Sequence, residues 1–351
     1  VGGPGHGCGL SLMGGGAAAA AAALRYAMER EAIPGTLKVI LAPAEETGVG
    51  KGYLAKNGVF SDLDMALMWH PAPGKLDLSP VRQRVAFRVS FAFHGKAAHA
   101  AGAPWNGRSA LDAVQLMNLG SEFLREHIRP GGQLHYAITN GGSAPNVVPE
   151  YAAVQYMFRS VDDYALAEDI FQRVVQIAKG AAMMTDTQMT YHVESVIPQF
   201  YYNLPLCRLM ARAAEKVPPL RYSPEEMEQA RALYRSLFQE EPPQDDEELL
   251  PTGYLPFNTD KAGTPNCTDA ADMTYFCPTL HCQGLGRVKG GVGHHWNVTY
   301  TSGCSLGEKA GIYAYEVIAQ GAYEAFRDPK IVETCWEAYR AMQIPPHKDW
   351  L

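Results

Sequence analysis

Two short apolar runs, each closed by residues able to do chemistry, constrain this chain most. Thr36 to Ala42 (TLKVILA) lies between Pro34-Gly35 and Pro43, and Met65 to Trp69 (MALMW) ends at His70-Pro71. Apolar runs of this length between turn residues read as strands buried on both faces. Gly50 to Asn57 reads as a helix stopped by Gly58. The run Ala17 to Ala23 reads as a buried helix, because alanine is the best helix former. Strands and helices in alternation predict an α/β fold. Ligands of open α/β sheets bind beyond the carboxyl ends of the strands. Glu45 and Glu46 stand just past the first run, and His70 at the end of the second.

The pattern then changes. Val85 to Phe93 alternates like a half-exposed strand, and Ser109 to Glu126 has helical spacing. Leu134 to Thr139 and Tyr151 to Arg159 read as strands, Tyr164 to Ala182 as a helix, and Gln188 to Val196 as a strand. The order β-α-β-β-α-β is the ferredoxin-like arrangement. From Pro198 an α/β pattern resumes, with helices at Glu225 to Glu240, Gly303 to Ala325 and Ile331 to Met342. Glu241 to Glu248 is an acidic, proline-containing surface loop, and Thr279 to Gly284 a strand. The expected organisation is a discontinuous α/β domain over 1–84 and 196–351, with a second domain over 85–195 inserted into it.

Thirty Lys and Arg against 37 Asp and Glu leave a net charge of −7 without a basic patch, which argues against nucleic-acid binding. No apolar run reaches the length of a membrane span. Seven cysteines without a CxxC pair predict a reduced, cytoplasmic protein. The chain opens on Val1-Gly2-Gly3-Pro4 and a glycine-rich turn, without a signal-peptide pattern, and reads as lacking an upstream segment.

Adjacent glutamates after a buried strand need partners. One reading makes one a metal ligand and the other a general base; the other sets both at a helix N-terminus, where acids suit the macrodipole. His6-Gly7-Cys8 and Gly293-His294-His295 are glycine-flanked, so thiol and imidazoles can approach a ligand closely. Cysteine, glutamate and two histidines from four separate loops fit a hydrolytic metal site, with a spare carboxylate to take a proton from water. His99 lies in a small-residue loop. Asn146 and Arg159 suit a substrate carboxylate. Asp269 and Asp272 read either as supports of the metal site or as caps of the following helix.

These stretches together resemble the metal-dependent amidohydrolase branch of the aminoacylase and carboxypeptidase-like metallopeptidases. GGPGHGCG at 2–9, PAEE at 43–46, ALMWHP at 66–71, HGKAAHAAGAPWNGRSALDAV at 94–114, NGGSAPNVVPEYA at 140–152, TDAAD at 268–272 and GHHW at 293–296 carry the likeness, in the family's order. The resemblance implies a zinc-peptidase-like catalytic α/β domain with an inserted lid and dimerisation domain, the N-terminal part of the catalytic domain being absent here. It implies zinc or manganese, one or two ions. It makes Glu45 the general base, and Cys8, Glu46, His70 and His294 the metal ligands. His99 would polarise the scissile carbonyl, and substrates would be N-acyl or aroyl amino acids or small dipeptides. A homodimer through the lid, or a heteromeric partner subunit, is implied as well. The family carries a ligand histidine two residues after the cysteine, where this chain has Leu10. His6 is the other histidine at that spacing. Leucine cannot ligate, which argues against a second ion and opens an alternative: a non-hydrolytic homologue that binds ligand or supports a partner subunit.

Overall fold

The computed structural model describes residues 5–80, 82–260 and 266–350; the opening Val1-Gly2-Gly3-Pro4 of the glycine-rich turn lies outside them. Helix α1, Leu10–Glu31, starts from Gly9, whose φ of 92° is left-handed. A Cβ there would come within 2.6 Å of Pro71 Cγ, so only glycine lets the Cys8 loop pass so close to His70-Pro71. Alanine propensity makes the helix, but it does not bury it: only Leu24 and Met28 are buried. The reason is a cleft of about 1370 Å³ lined by α1, the 34–43 segment and the chain near 318–340.

The first expected strand is not formed. Thr36–Ala42 runs as irregular chain, with Leu37, Val39 and Leu41 exposed. Apolar composition makes a strand only where a neighbour completes its ladder. The second run does find one: β1, Ala66–Pro73, pairs in parallel with a strand from the far end of the chain. Between the two runs lie a short turn of 3-10 helix, Glu45–Thr47, and α2, Gly50–Lys56.

Residues 84–197 follow the order β-α-β-β-α-β: β2 Arg84–His94, α3 Ala110–Arg125, β3 Gln133–Asn140, β4 Tyr151–Val161, α4 Tyr164–Thr185 and β5 Gln188–Ile197. The four strands form an antiparallel sheet in the order β3-β4-β2-β5. Alternation puts Val85, Phe87, Val89, Phe91 and Phe93 on one face, where they pack with Val114, Met117, Ile170, Phe171 and Val174 of the two helices. Ser109 and Asp163 cap those helices.

Beyond lies α5, Leu204–Ala214, to which the sequence reading gave no element; Pro205 stands in its first turn, a position that suits proline. Then come α6 Pro224–Phe238, with a Ser223–Glu226 capping box, and α7 Asp246–Leu249 inside the acidic loop. A 3-10 segment, Asp269–Tyr275, precedes β6, Thr279–Arg287, the partner of β1. Helices α8 Trp296–Ser302, α9 Ser305–Arg327 and α10 Pro329–Ala341 follow. Trp69, Leu280, Cys282, Tyr313 and Val317 form a second core between β1, β6 and α9. Among the described residues no helix is long and apolar enough to cross a membrane.

Candidate metal centre

Three loops converge at the carboxyl end of β1. Cys8 Sγ, a Glu46 carboxylate oxygen and a His294 ring nitrogen all lie within 4.8 Å of one another. His294 Nε2 sits 3.0 Å from Glu46 Oε2, and Cys8 Sγ 3.1 Å from His70 Nε2. Backbone geometry aims these groups. Ala44 and His294 are both in the left-handed region, at φ 61° and 56°. Non-glycine residues are held there only where surrounding structure enforces it. At His294 the enforcing contact is its own N–H, which donates to Gly7 O at 2.7 Å and so ties the histidine loop to the cysteine loop.

The His70 ring is oriented in turn. Its Nδ1–H donates to Pro71 O at 2.9 Å, so a neutral ring presents the Nε2 lone pair to Cys8. That arrangement fixes the tautomer a metal-binding imidazole needs. Burial, helped by the Arg287 charge, lowers the His70 pKa to about 4. Burial, reinforced by the Glu46 carboxylate, pushes the Cys8 thiol up to about 12. Arg287 donates to Cys8 O at 2.9 Å and is itself pushed below the usual guanidinium range by burial. Sulfur, carboxylate and imidazole suit a borderline-soft divalent ion such as zinc. A thiol held neutral by its surroundings is the group such an ion would deprotonate, so the donor set fits a metal.

Glu45 lies beside this set. Its Oε1 accepts from Thr268 Oγ1 at 2.8 Å. Burial raises its pKa, against the Thr268 hydrogen bond. Asp269 is fully buried and binds α2: Lys51 N donates to its Oδ2 at 2.9 Å, and Lys51 Nζ to its Oδ1 at 2.6 Å. Asp272 Oδ1 is 2.6 Å from His347 Nε2, and burial raises its carboxyl pKa. Neither aspartate caps the following helix; Thr268 does, accepting from Ala270 N.

The remaining expected residues stand apart. His6 is exposed and stands outside the group formed by Cys8, Glu46 and His294. His99 is exposed, and its Nδ1 accepts from Ala101 N and Gly102 N at 3.2 and 3.0 Å. A neutral His99 ring therefore carries its proton on Nε2. Asn146 O accepts from Ala100 N, which joins its loop to that of His99. Arg159 lies on β4, half-buried. Sequence reading missed Lys51, Thr268, Arg287 and His281. His281 Nε2 is buried without a partner among the described residues, and burial lowers its pKa to about 3. Its sequence signal was faint, one polar residue in a strand that also carries Thr279, Gln283 and Arg287.

Residues 2–347 match the model of Peptidase family M20/M25/M40. The chain is 31% identical to a subunit of the p-aminobenzoyl-glutamate hydrolase of Escherichia coli, over 96% of its own length and 74% of that protein's. It is 35% identical to a mouse Xaa-Arg dipeptidase over 61% of its length and 49% of the dipeptidase. Among solved structures, an aminobenzoyl-glutamate utilization protein from Klebsiella pneumoniae superposes with a TM-score of 0.60 at 19% identity, over 87% of this chain and 66% of that one. A Bacillus subtilis protein described as a dinuclear metal binding peptidase gives 0.57 at 15% identity, over 92% of this chain and 73% of that one. The chain thus spans about half of the dipeptidase and about two thirds of the Klebsiella protein. The family match over nearly the whole chain, the donor set and the neighbouring glutamate agree: the chain belongs to peptidase family M20/M25/M40, the metal-dependent amidohydrolases and peptidases.

Proposed function

We propose that this centre hydrolyses the amide bond of N-acyl or aroyl amino acids, aminobenzoyl-glutamate among them, or of small dipeptides. The observation that carries the reading is Glu45, held by Thr268 beside Cys8, Glu46 and His294. Cys8, Glu46, His70 and His294 would hold zinc or manganese. When bound, such an ion supplies Lewis-acid charge and makes water acidic enough to ionise near neutral pH.

Glu45 takes the proton from the attacking water at its carboxylate and hands it to the leaving amine nitrogen. Burial strengthens it as a base, and the Thr268 hydroxyl fixes its orientation. The Lys51–Asp269 pair anchors α2 to the segment that bears Thr268. His99, with its proton on Nε2, is suited to donate to the carbonyl oxygen as negative charge develops there. The unit at 85–195 then acts as a lid that brings His99, Asn146 and Arg159 onto the substrate, and as the surface for a homodimer. The Escherichia coli relative is named as one subunit of a hydrolase, which makes a heteromeric partner the other candidate. All seven cysteines are free, which fits a reducing, cytoplasmic setting.

Glu45→Gln should lower turnover of N-aroyl amino acids by about 10²–10⁴-fold while metal content, read by elemental mass spectrometry, stays unchanged. Retained turnover in that variant would falsify the assigned role. A second reading, a non-hydrolytic homologue that binds ligand or supports a partner subunit, rests on Leu10, whose side chain lines the cleft and offers no donor atom.

A further inference from the structure

The segment that follows α10 leaves the body built on β1, β6 and α9 and reaches the sheet unit of 84–197. Residues 344–350 lie outside any helix or strand, and Pro345 and Pro346 stiffen the start of the segment. Its contacts alternate from side to side, as in extended backbone. His347 and Asp349 turn to the body. His347 Nε2 is 2.6 Å from Asp272 Oδ1, its ring lies 5.3 Å from that of Tyr275, and Asp349 Oδ2 is 2.9 Å from Lys56 Nζ of α2. Lys348 and Trp350 turn to the sheet unit. Lys348 Nζ donates to Glu168 Oε1 of α4 at 2.8 Å, and Trp350 Nε1 donates to Tyr164 Oη at 2.7 Å. The Trp350 ring meets Phe87 of β2 edge-on at 5.5 Å and packs against the core of that unit.

The inner contacts are the strong ones. His347 and Asp272 side chains are 15% and 4% exposed, so water does not compete for their contact. The Lys348 and Asp349 pairs are open to solvent and contribute little alone. Beneath the segment the junction is hollow. A cavity of about 240 Å³ is lined by Gly52, Tyr201 and Asp272 of the body and by Tyr164 and Val196 of the sheet unit. The chain crosses between the two just before Arg84 and just after Ile197, at neighbouring ends of β2 and β5, where Ala86 pairs with Ile197. Two adjacent crossings define a hinge. A third attachment in the helix layer, at α4, removes the freedom to turn about it.

Both ends of this arrangement reach the metal centre. Asp272 belongs to the 3-10 segment that opens after Thr268, whose hydroxyl holds Glu45. The sheet unit touches the glutamate turn directly. Gly48, left-handed at φ 72°, stands two residues after Glu46, and a Cβ on it would come within 3.1 Å of Ile197 Cδ1 of β5. Gly48 N donates to Glu45 O at 2.8 Å. A change in the angle of the sheet unit is therefore felt at the turn that carries Glu45 and Glu46.

We propose that residues 347–350 form a strap that holds the sheet unit of 84–197 at a fixed angle to the metal centre and so steadies the Glu45–Thr47 turn. Detached at Trp350, the unit turns about the crossings at Arg84 and Ile197. The inference goes beyond the hydrolase reading and does not rest on it: the strap sets the angle whether or not the centre turns over an amide.

The test reads the angle. Helix α4 has 22 residues and is about 33 Å long, so a turn of about 10° at its strapped end moves its far end by about 6 Å. Dyes on genetically encoded ketone-bearing residues at Met184, exposed at that far end, and at Glu240, exposed on the body, report the distance by single-molecule energy transfer. The unaltered chain should give one narrow distribution. Trp350→Ala should broaden it and shift its mean by several ångströms, and Trp350→Phe, which keeps a ring against Phe87, should shift it less. Lys348→Glu sets like charges at Glu168 on an exposed surface and leaves the core intact. It should move the distance in the same sense, and Glu168→Lys added to it should bring the distance back. Hydrogen exchange of the peptide that holds Gly48 should quicken severalfold in Trp350→Ala. An unshifted distance in Trp350→Ala or in Lys348→Glu, a shift that Glu168→Lys does not reverse, or an unchanged exchange rate at Gly48 overturns the strap.

Discussion

At the scale of single residues, Leu10 offers no donor atom beside Cys8. It opens α1 two residues after Cys8, half-buried, and lines the cleft. Imidazole there would add a further donor to the thiol, carboxylate and imidazole already gathered. Leu10→His should raise zinc content after incubation with excess ion by about one equivalent per chain, a stoichiometry read by elemental mass spectrometry. An unchanged stoichiometry would mean that the first turn of α1 points away from the donors. Cys8 and His294 stand out in the sequence because each follows a glycine, and Glu46 and His70 because each closes an apolar run; the structure brings Cys8, Glu46 and His294 together and sets Cys8 against His70. Lys51 was not: a lysine in the first turn of a short helix reads as a solvated charge. Only folding reveals that its ammonium is buried on Asp269.

At the scale of elements, that pair is what fastens α2 to the 3-10 segment after Thr268. Lys51 and Asp269 side chains are only 7% and 0% exposed. Removing one partner leaves an uncompensated buried charge. Lys51→Met should therefore destabilise the fold by about 3–5 kcal/mol in urea unfolding, and the double variant Lys51→Met with Asp269→Leu by distinctly less. Equal losses would show that the charge pair contributes little beyond packing. Elements with their own repeating pattern were readable: the alternation of β2 and the helical spacing of α3 and α4 needed no tertiary information. Thr36–Ala42 was misread because its composition suits a strand while its ladder depends on a neighbour. Among the described residues β1 pairs only with β6, so no neighbour reaches it.

At the scale of the molecule, buried imidazoles link stability to pH. His281 sits on β6 with Nε2 buried and Nδ1 3.0 Å from Gln83 Nε2. Burial, with smaller contributions from His70 and Lys51, lowers its pKa to about 3, from an ordinary value of 6.5. The unfolded chain then binds more protons than the folded one between those values. The stabilisation is complete above about pH 6.5 and is lost as pH falls toward 3, at about 1 kcal/mol per pH unit. In chelator-treated protein the urea midpoint should fall between about pH 7 and pH 5, and His281→Phe should flatten that fall. An unaltered slope in the variant would assign the effect elsewhere.

What the sequence determined by itself is what local rules control. Alanine propensity and a left-handed glycine made α1, period-two alternation made the sheet of 84–197, and the polar ends of two apolar runs marked Glu45, Glu46 and His70, as flanking glycines marked the Cys8 and His294 loops. What only tertiary structure decided is everything that depends on a partner far along the chain. Cys8 meets His70 across 62 residues, Glu45 meets Thr268 across 223, and Lys51 meets Asp269 across 218. Arg159 joins Arg84 and Arg88 on one face only through the register of β2 on β4. Propensity and periodicity act over a few residues, whereas buried charge is satisfied by whichever group the fold delivers.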